Sequence, residues 1–138
     1  MLSKTGLREK LNDELKDVVD NVETSFTFPE EFAELNNEFP YATVLFGSFI
    51  PTGNAKYGLQ SISIIAIARG DKDDLAFRVD KLERDIFNKL YRNKSIKTVI
   101  TEVDNNNLFK NFGLDAGLFL PYGGVRFELE IPNVQIDD

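Results

Sequence analysis

Apolar positions along this chain follow two different periods, and the changes between them mark its elements. From Ser3, a residue suited to capping a helix N-terminus, Leu7, Leu11, Leu15, Val18 and Val22 recur at intervals of four, four, three and four. At ~100° per residue these five side chains fall within about 80° of arc, so the spacing predicts one helix with a single apolar stripe. Leu75, Val79, Leu82, Ile86 and Leu90 repeat the pattern and predict a second, longer helix, preceded by the acidic cluster Asp71 to Asp74 that suits a helix start. Between them, Tyr41 to Phe46 and Leu59 to Ala68 are rich in β-branched and aromatic residues and bounded by Gly47, Gly58 and Gly70. Both are predicted strands. Ile96 to Val103 predicts a third strand, with 104–107 as its closing turn, and 125–131 a fourth, in which Val125, Phe127, Leu129 and Ile131 alternate with Arg126, Glu128 and Glu130.

The predicted order is helix, strand, strand, helix, strand, strand. Strands this close in sequence favour hairpins, so the expected class is α+β: a mixed or mostly antiparallel four-stranded sheet with two helices packed on one face. Residues 25–40, with Pro29 before Glu30 and Glu31 and a stop at Asn36, Asn37 and Pro40, read as a connection with a turn of helix. The strand at 59–68 is apolar on both faces toward its end, so two helices on one side leave the other side uncovered. The loop from Leu108 to Tyr122, with Phe109, Phe112, Leu118 and Phe119, is the expected cover, together with a neighbouring subunit. Pro121, Gly123 and Gly124 set a corner that aims the last strand.

Composition narrows the function. A chain of 138 residues fits one domain, 1–138, and no apolar run approaches the ~20 residues of a membrane helix. The N-terminus lacks the zones of a secretory signal, so export by that route is not expected. The sequence holds no cysteine and no histidine, which removes disulfides, thiolate metal sites, the commonest general base and the usual partner of a nucleophilic serine. Its net charge of −7 disfavours nonspecific attraction to nucleic acid.

Each motif that could carry chemistry has a simpler structural use. In 47–58, Asn54 stands where a phosphate loop needs lysine, so a strand-connecting loop is the better reading. The Asp71 to Asp74 cluster could hold a hard cation, but capping accounts for it. The Asp and Asn residues from 104 open like a calcium loop, yet Leu108 occupies a ligand position and the glycine is missing. Glu30, Glu31, Glu128 and Glu130 could form a carboxylate pair, but no pocket is implied by their placement. No catalytic residue, cofactor or metal is expected. The aromatic residues off the helix stripe are more informative: Phe77 and Tyr91 fall near the opposite side of the second helix and Phe87 on its flank, which suggests a second contact surface, the alternative being scattered surface aromatics or a frayed helix start.

With these elements placed, the chain resembles the tail-terminator (tail-completion) proteins of long-tailed phages. The resembling features are the amphipathic first helix, "FPYATVLFG" entering the first strand, a hairpin into "LQSISIIAIARG", the helix "DLAFRVDKLERDIFNKLY", then "IKTVITEV" and the closing "PYGGVRFELEI". They span nearly the whole chain, by layout more than by individual side chains. The resemblance implies a virion structural protein at the head-proximal end of the tail, assembled in the host cytoplasm. It would cap the tail tube protein as a ring, typically a hexamer, stop polymerisation and meet a head-side connector protein. DNA would pass an acidic lumen without specific binding. A neck or head-completion subunit is the main alternative, and a small-ligand or metal-binding module the second. The expected contact residues are Tyr57 at the hairpin tip, Phe77, Phe87 and Tyr91 on the second helix, and Phe109 and Phe112 in the long loop; none is carried over from a family motif.

Overall fold

A computed structural model describes residues 2–35, 37–105, 118–119 and 121–136. The elements in chain order are α1 (Lys4–Leu15), β1 (Asn21–Glu23), α2 (Pro29–Glu34), β2 (Tyr41–Thr52), β3 (Asn54–Arg69), α3 (Leu75–Arg92), β4 (Val99–Asp104), β5 (Leu118–Phe119) and β6 (Tyr122–Gln135). The class is α+β. The sheet runs β1-β2-β3-β6-β4, with β5 paired to β6 beside that path. The β1–β2 pair is parallel and the others are antiparallel. The sheet is therefore mixed, as expected, but has five strands in its path where four were predicted.

The missing strand was hidden in the first helix stripe. α1 ends at Leu15: Asp17 and Val18 direct their amides to the carbonyls three residues back, Glu14 and Leu15, and Val19 makes a last four-residue bond to Leu15. The chain then turns, Asp20 donates to the Pro40 carbonyl at 2.9 Å, and Val22 enters β1 beside Ala42. The N-cap reading holds: Ser3 Oγ accepts from the Gly6 amide at 3.0 Å, satisfying one of the unpaired donors of the first turn.

One face of the sheet carries the main core. Leu7, Leu11 and Leu15 of α1 and the stripe Leu75, Val79, Leu82, Ile86 and Leu90 of α3 are buried against it. They meet Ala42, Val44, Ile62, Ile64, Val125, Phe127 and Leu129, the alternate residues of β2, β3 and β6. Each large apolar side chain fully removed from water here contributes roughly 1.5–3 kcal/mol. Arg8 fastens α1 to β2, donating to the Val44 carbonyl at 3.1 Å with its guanidinium 4.2 Å from the Phe46 ring centre.

Among the described residues the opposite face is covered at one corner. Phe32 of α2 stacks on Tyr41 at 3.8 Å between ring centres, Phe39 stands edge-on to both, and Ile65, Ile67 and Tyr122 complete the cluster. The Tyr41 hydroxyl donates to the Thr27 carbonyl, and burial pushes its pKa upward, with the Glu23 charge adding to the effect. Residues 26–41 thus supply cover at this corner together with Tyr122, the last residue of the loop 108–122 in which cover was expected; residues 108–117 and 120 of that loop lie outside the described ones. Away from this corner the same face turns polar. The Ser63 hydroxyl lies 2.8 and 2.9 Å from the two oxygens of Glu128, and Arg126 reaches Glu128 and Glu102 at 3.2 and 3.7 Å.

Both hairpin strands run well beyond the predicted 41–46 and 59–68. Residues 47–58 are largely ladder, not loop, with a bulge between Phe46 and Phe49. Gln60, fully buried, fills it: its Nε2 lies 3.1, 3.3 and 2.8 Å from the carbonyls of Gly47, Ser48 and Ser61. Farther out Gly58 faces Pro51, and a side chain there would strike the Ile50 carbonyl oxygen and the Phe49 ring. Such a close approach of two backbones admits only glycine. The last strand also exceeds its predicted 125–131, and β4 starts at Val99 rather than Ile96.

Candidate interaction surface

The aromatic pattern of α3 follows directly from its stripe. Phe87 and Tyr91 each come one residue after a stripe position, Ile86 and Leu90, so each is rotated ~100° from the sheet. Four residues apart, they share one flank. Their rings stack with centres 6.0 Å apart and planes inclined by 10°. Tyr91 is 77% exposed and Phe87 39%. Phe77, 76% exposed, lies on the outward side near the other end of the helix, ten residues from Phe87 and about 15 Å along the axis. The structure therefore brings two of the predicted contact residues together and leaves Phe77 apart.

The Phe87–Tyr91 pair borders a groove between α3 and β4. It encloses about 730 Å³ and is lined by Leu90, Ile96, Val99 and Ile100 together with the two rings. Val99 is itself 55% exposed. β4 is the last strand on its side of the sheet, and among the described residues nothing pairs with its outer edge. An open edge beside exposed aromatics is where a further strand or chain can dock.

A compact turn holds this end of α3. Asn93 Oδ1 accepts from the amide and hydroxyl of Ser95 at 3.0 and 2.7 Å, while its Nδ2 donates to Glu14 Oε1 at 3.2 Å. Lys89 reaches Asp17 at 2.7 Å, and that hydrogen bond raises the lysine's pKa. α3 is thus tied to α1 at the same end. Arg92, Lys94 and Lys97 extend outward around the groove and enter no ion pair among the described residues. Sequence reasoning missed these cations because no periodicity singles them out; the signal available was a run of four basic and no acidic residues in 89–97.

Tyr57 is not at the hairpin tip. It sits within β3, half-buried and paired with Gln135 of β6, because the strands extend to Thr52 and Asn54 and leave Gly53 at the tip. Phe109 and Phe112 lie outside the described residues.

The chemical motifs find structural employment. Asp71 Oδ1 accepts from the amides of Asp73 and Asp74 at 2.9 and 3.0 Å, and Asp74 Oδ1 accepts from the Asp71 amide at 2.7 Å. Arg78, bonded to Asp74 at 2.8 Å, holds that carboxyl below the usual range. The backbone of 47–58 is largely engaged in the β2–β3 ladder instead of being free to cradle a phosphate. Glu30 and Glu31 are exposed in the first turn of α2, and Glu128 is engaged by Ser63 and Arg126. Among the described residues no group of three or more acidic side chains is placed to hold a metal ion. No model of a known protein family and no curated protein matches this chain.

Proposed function

We propose that the protein is a structural subunit of a phage-type virion, a tail terminator that assembles as a ring on the end of the tail tube, halts its polymerisation and presents a surface to the head-side connector. The observation that carries this reading is the β4 edge, unpaired among the described residues, with the stacked Phe87–Tyr91 pair beside it, a surface that suits another chain better than a small molecule. The layout of the sequence, which resembles that family from the first helix to the closing strand, supports it. The ring places the protein at the head-proximal end of the virion tail after assembly in the host cytoplasm. Its net negative charge suits a lumen through which DNA slides without adhering.

The test is direct. Purified tail tubes of the same particle, incubated with the protein and viewed by negative stain, should acquire a ring at one end and cease to lengthen when tube subunits are added. Tubes that stay bare and keep growing end the terminator reading. Binding to the head-side connector with no effect on tubes would instead identify a neck subunit.

A further inference from the structure

We infer that the ring forms head to tail, with the basic corner of the sheet beyond β4 of one copy docking on the acidic corner around β1 and α2 of the next. This rests on the ring of the proposed function and adds which surfaces meet. Residues 20–38 hold six carboxylates, Asp20, Glu23, Glu30, Glu31, Glu34 and Glu38, and no lysine or arginine. With a net charge of −7 for the whole chain, the remainder is nearly neutral. None of the six enters an ion pair among the described residues. Arg92, Lys94 and Lys97 are equally unpaired and exposed. Two separate places thus carry clusters of unneutralised charge of opposite sign.

Those places are diagonally opposed. β1 and β4 are the two outer strands of the sheet path. β1 lies beside 41–43 of β2, in line with Ile65 to Ile67, Gly124 to Arg126 and the end of β4 at Asp104. Lys94 and Lys97 precede the start of β4 at Val99, which lies level with Glu130 at the other end. Each corner also has an apolar centre: Phe28 and Leu35 are exposed on the acidic side, and Phe87, Tyr91 and Val99 on the basic side. An apolar centre rimmed by charge is the usual build of a protein interface.

The separation fixes the symmetry. A two-fold contact joins opposite signs only if both corners of each copy lie in one interface, and here they do not share a face, since the α3 stripe packs on one side of the sheet and Phe32 of α2 on the other. A head-to-tail contact joins opposite signs one corner at a time, and every copy then keeps one free corner of each kind. Such a chain of contacts closes into a ring when the rotation per copy divides a full turn.

Sedimentation velocity over a concentration series tests this with two charge-reversed variants, Lys94→Glu with Lys97→Glu, and Glu30→Lys, Glu31→Lys, Glu34→Lys and Glu38→Lys together, each of which inverts the sign of its corner. All six side chains are exposed, and circular dichroism confirms that each variant is folded. The wild-type protein should grow past a dimer as concentration rises, less so at high salt. Each variant alone should associate at least about tenfold more weakly, a 1.4 kcal/mol loss, and an equimolar mixture should recover wild-type assembly because both new contacts are again of opposite sign. Assembly that ends at a dimer, a wild-type protein that stays monomeric throughout, folded variants that assemble normally, or a mixture that fails to recover would each overturn the inference. If the variants cap tubes as the wild type does, the corner pairing falls and the terminator reading stands. If the wild type assembles through these corners yet ignores tubes, the reverse holds.

Discussion

The two faces of the sheet are built on different terms. The helix-covered face is a continuous apolar layer in which α1 and α3 lay regular stripes on alternate strand residues. The other face is a patch: an aromatic corner made by residues 26–41 with Ile65, Ile67 and Tyr122, giving way to Ser63, Glu128, Arg126 and Glu102. The first face holds the domain together as one unit. The second shields two strand ends and, among the described residues, leaves the remaining surface uncovered, so its stability is local.

Truncating a ring on each face should expose this difference most strongly. Phe127, fully buried at the centre of the helix-covered face, is expected to cost about 3–5 kcal/mol on change to alanine and to lower the whole unfolding transition. Phe32 is buried just as completely, yet Phe32→Ala should cost about 2 kcal/mol, because residues 26–40 can detach while the sheet survives. Hydrogen exchange would check it: protection should fall first in 26–40 for Phe32→Ala and everywhere together for Phe127→Ala. Equal, global loss in both would mean that the aromatic corner is part of the main cooperative unit.

A smaller effect sharpens the same contrast through pH. Burial raises the Tyr41 phenol above its ordinary value of ~10, so folding favours the neutral form. That contribution is complete below about pH 10 and is lost as pH climbs from there toward the folded value. Tyr41→Phe also forfeits the hydrogen bond to Thr27, about 1 kcal/mol at pH 8. Denaturant midpoints of wild type and variant at pH 8 and pH 11 should therefore differ at the lower pH and converge at the higher. A constant gap would contradict a buried, titrating phenol.

The smallest effect on stability belongs to the surface with no packing duty. Phe87→Ser with Tyr91→Ser should leave the denaturation midpoint within about 0.5 kcal/mol of wild type. The same pair of changes should weaken association in sedimentation. A large drop in stability would show that the stacked rings serve the fold instead.

What the sequence made legible follows the same division. The stripes of α1 and α3 and the alternation of β6 were readable because one-sided burial imposes a regular period on the chain. The aromatic corner was not, since Phe26, Phe32, Phe39 and Tyr41 reach one cluster from a helical turn, a loop and a strand, with no common period. β1 escaped because Val22 happened to continue the α1 stripe after the helix had ended. The outer hairpin was read as loop because Gly47, Pro51, Gly53 and Gly58 look like turn residues, although only Gly53 lies between the strands. At the candidate surface, Phe87 and Tyr91 were singled out by their angle from the stripe. The cations beyond α3 and the carboxylates of 20–38 acquire meaning only when the topology sets β1 and β4 at opposite edges.

Gly58 gives the long hairpin a property beyond close packing. Because any side chain at that point would collide with the Ile50 carbonyl, sliding β3 by one residue would bring Tyr57 or Leu59 into a space that holds no side chain. The same slip would also turn every core residue of β3 toward the wrong face. Gly58 therefore works as a keyway, accepting the partner strand at a single offset and fixing, from the far end of the hairpin, the alignment on which both faces of the sheet depend.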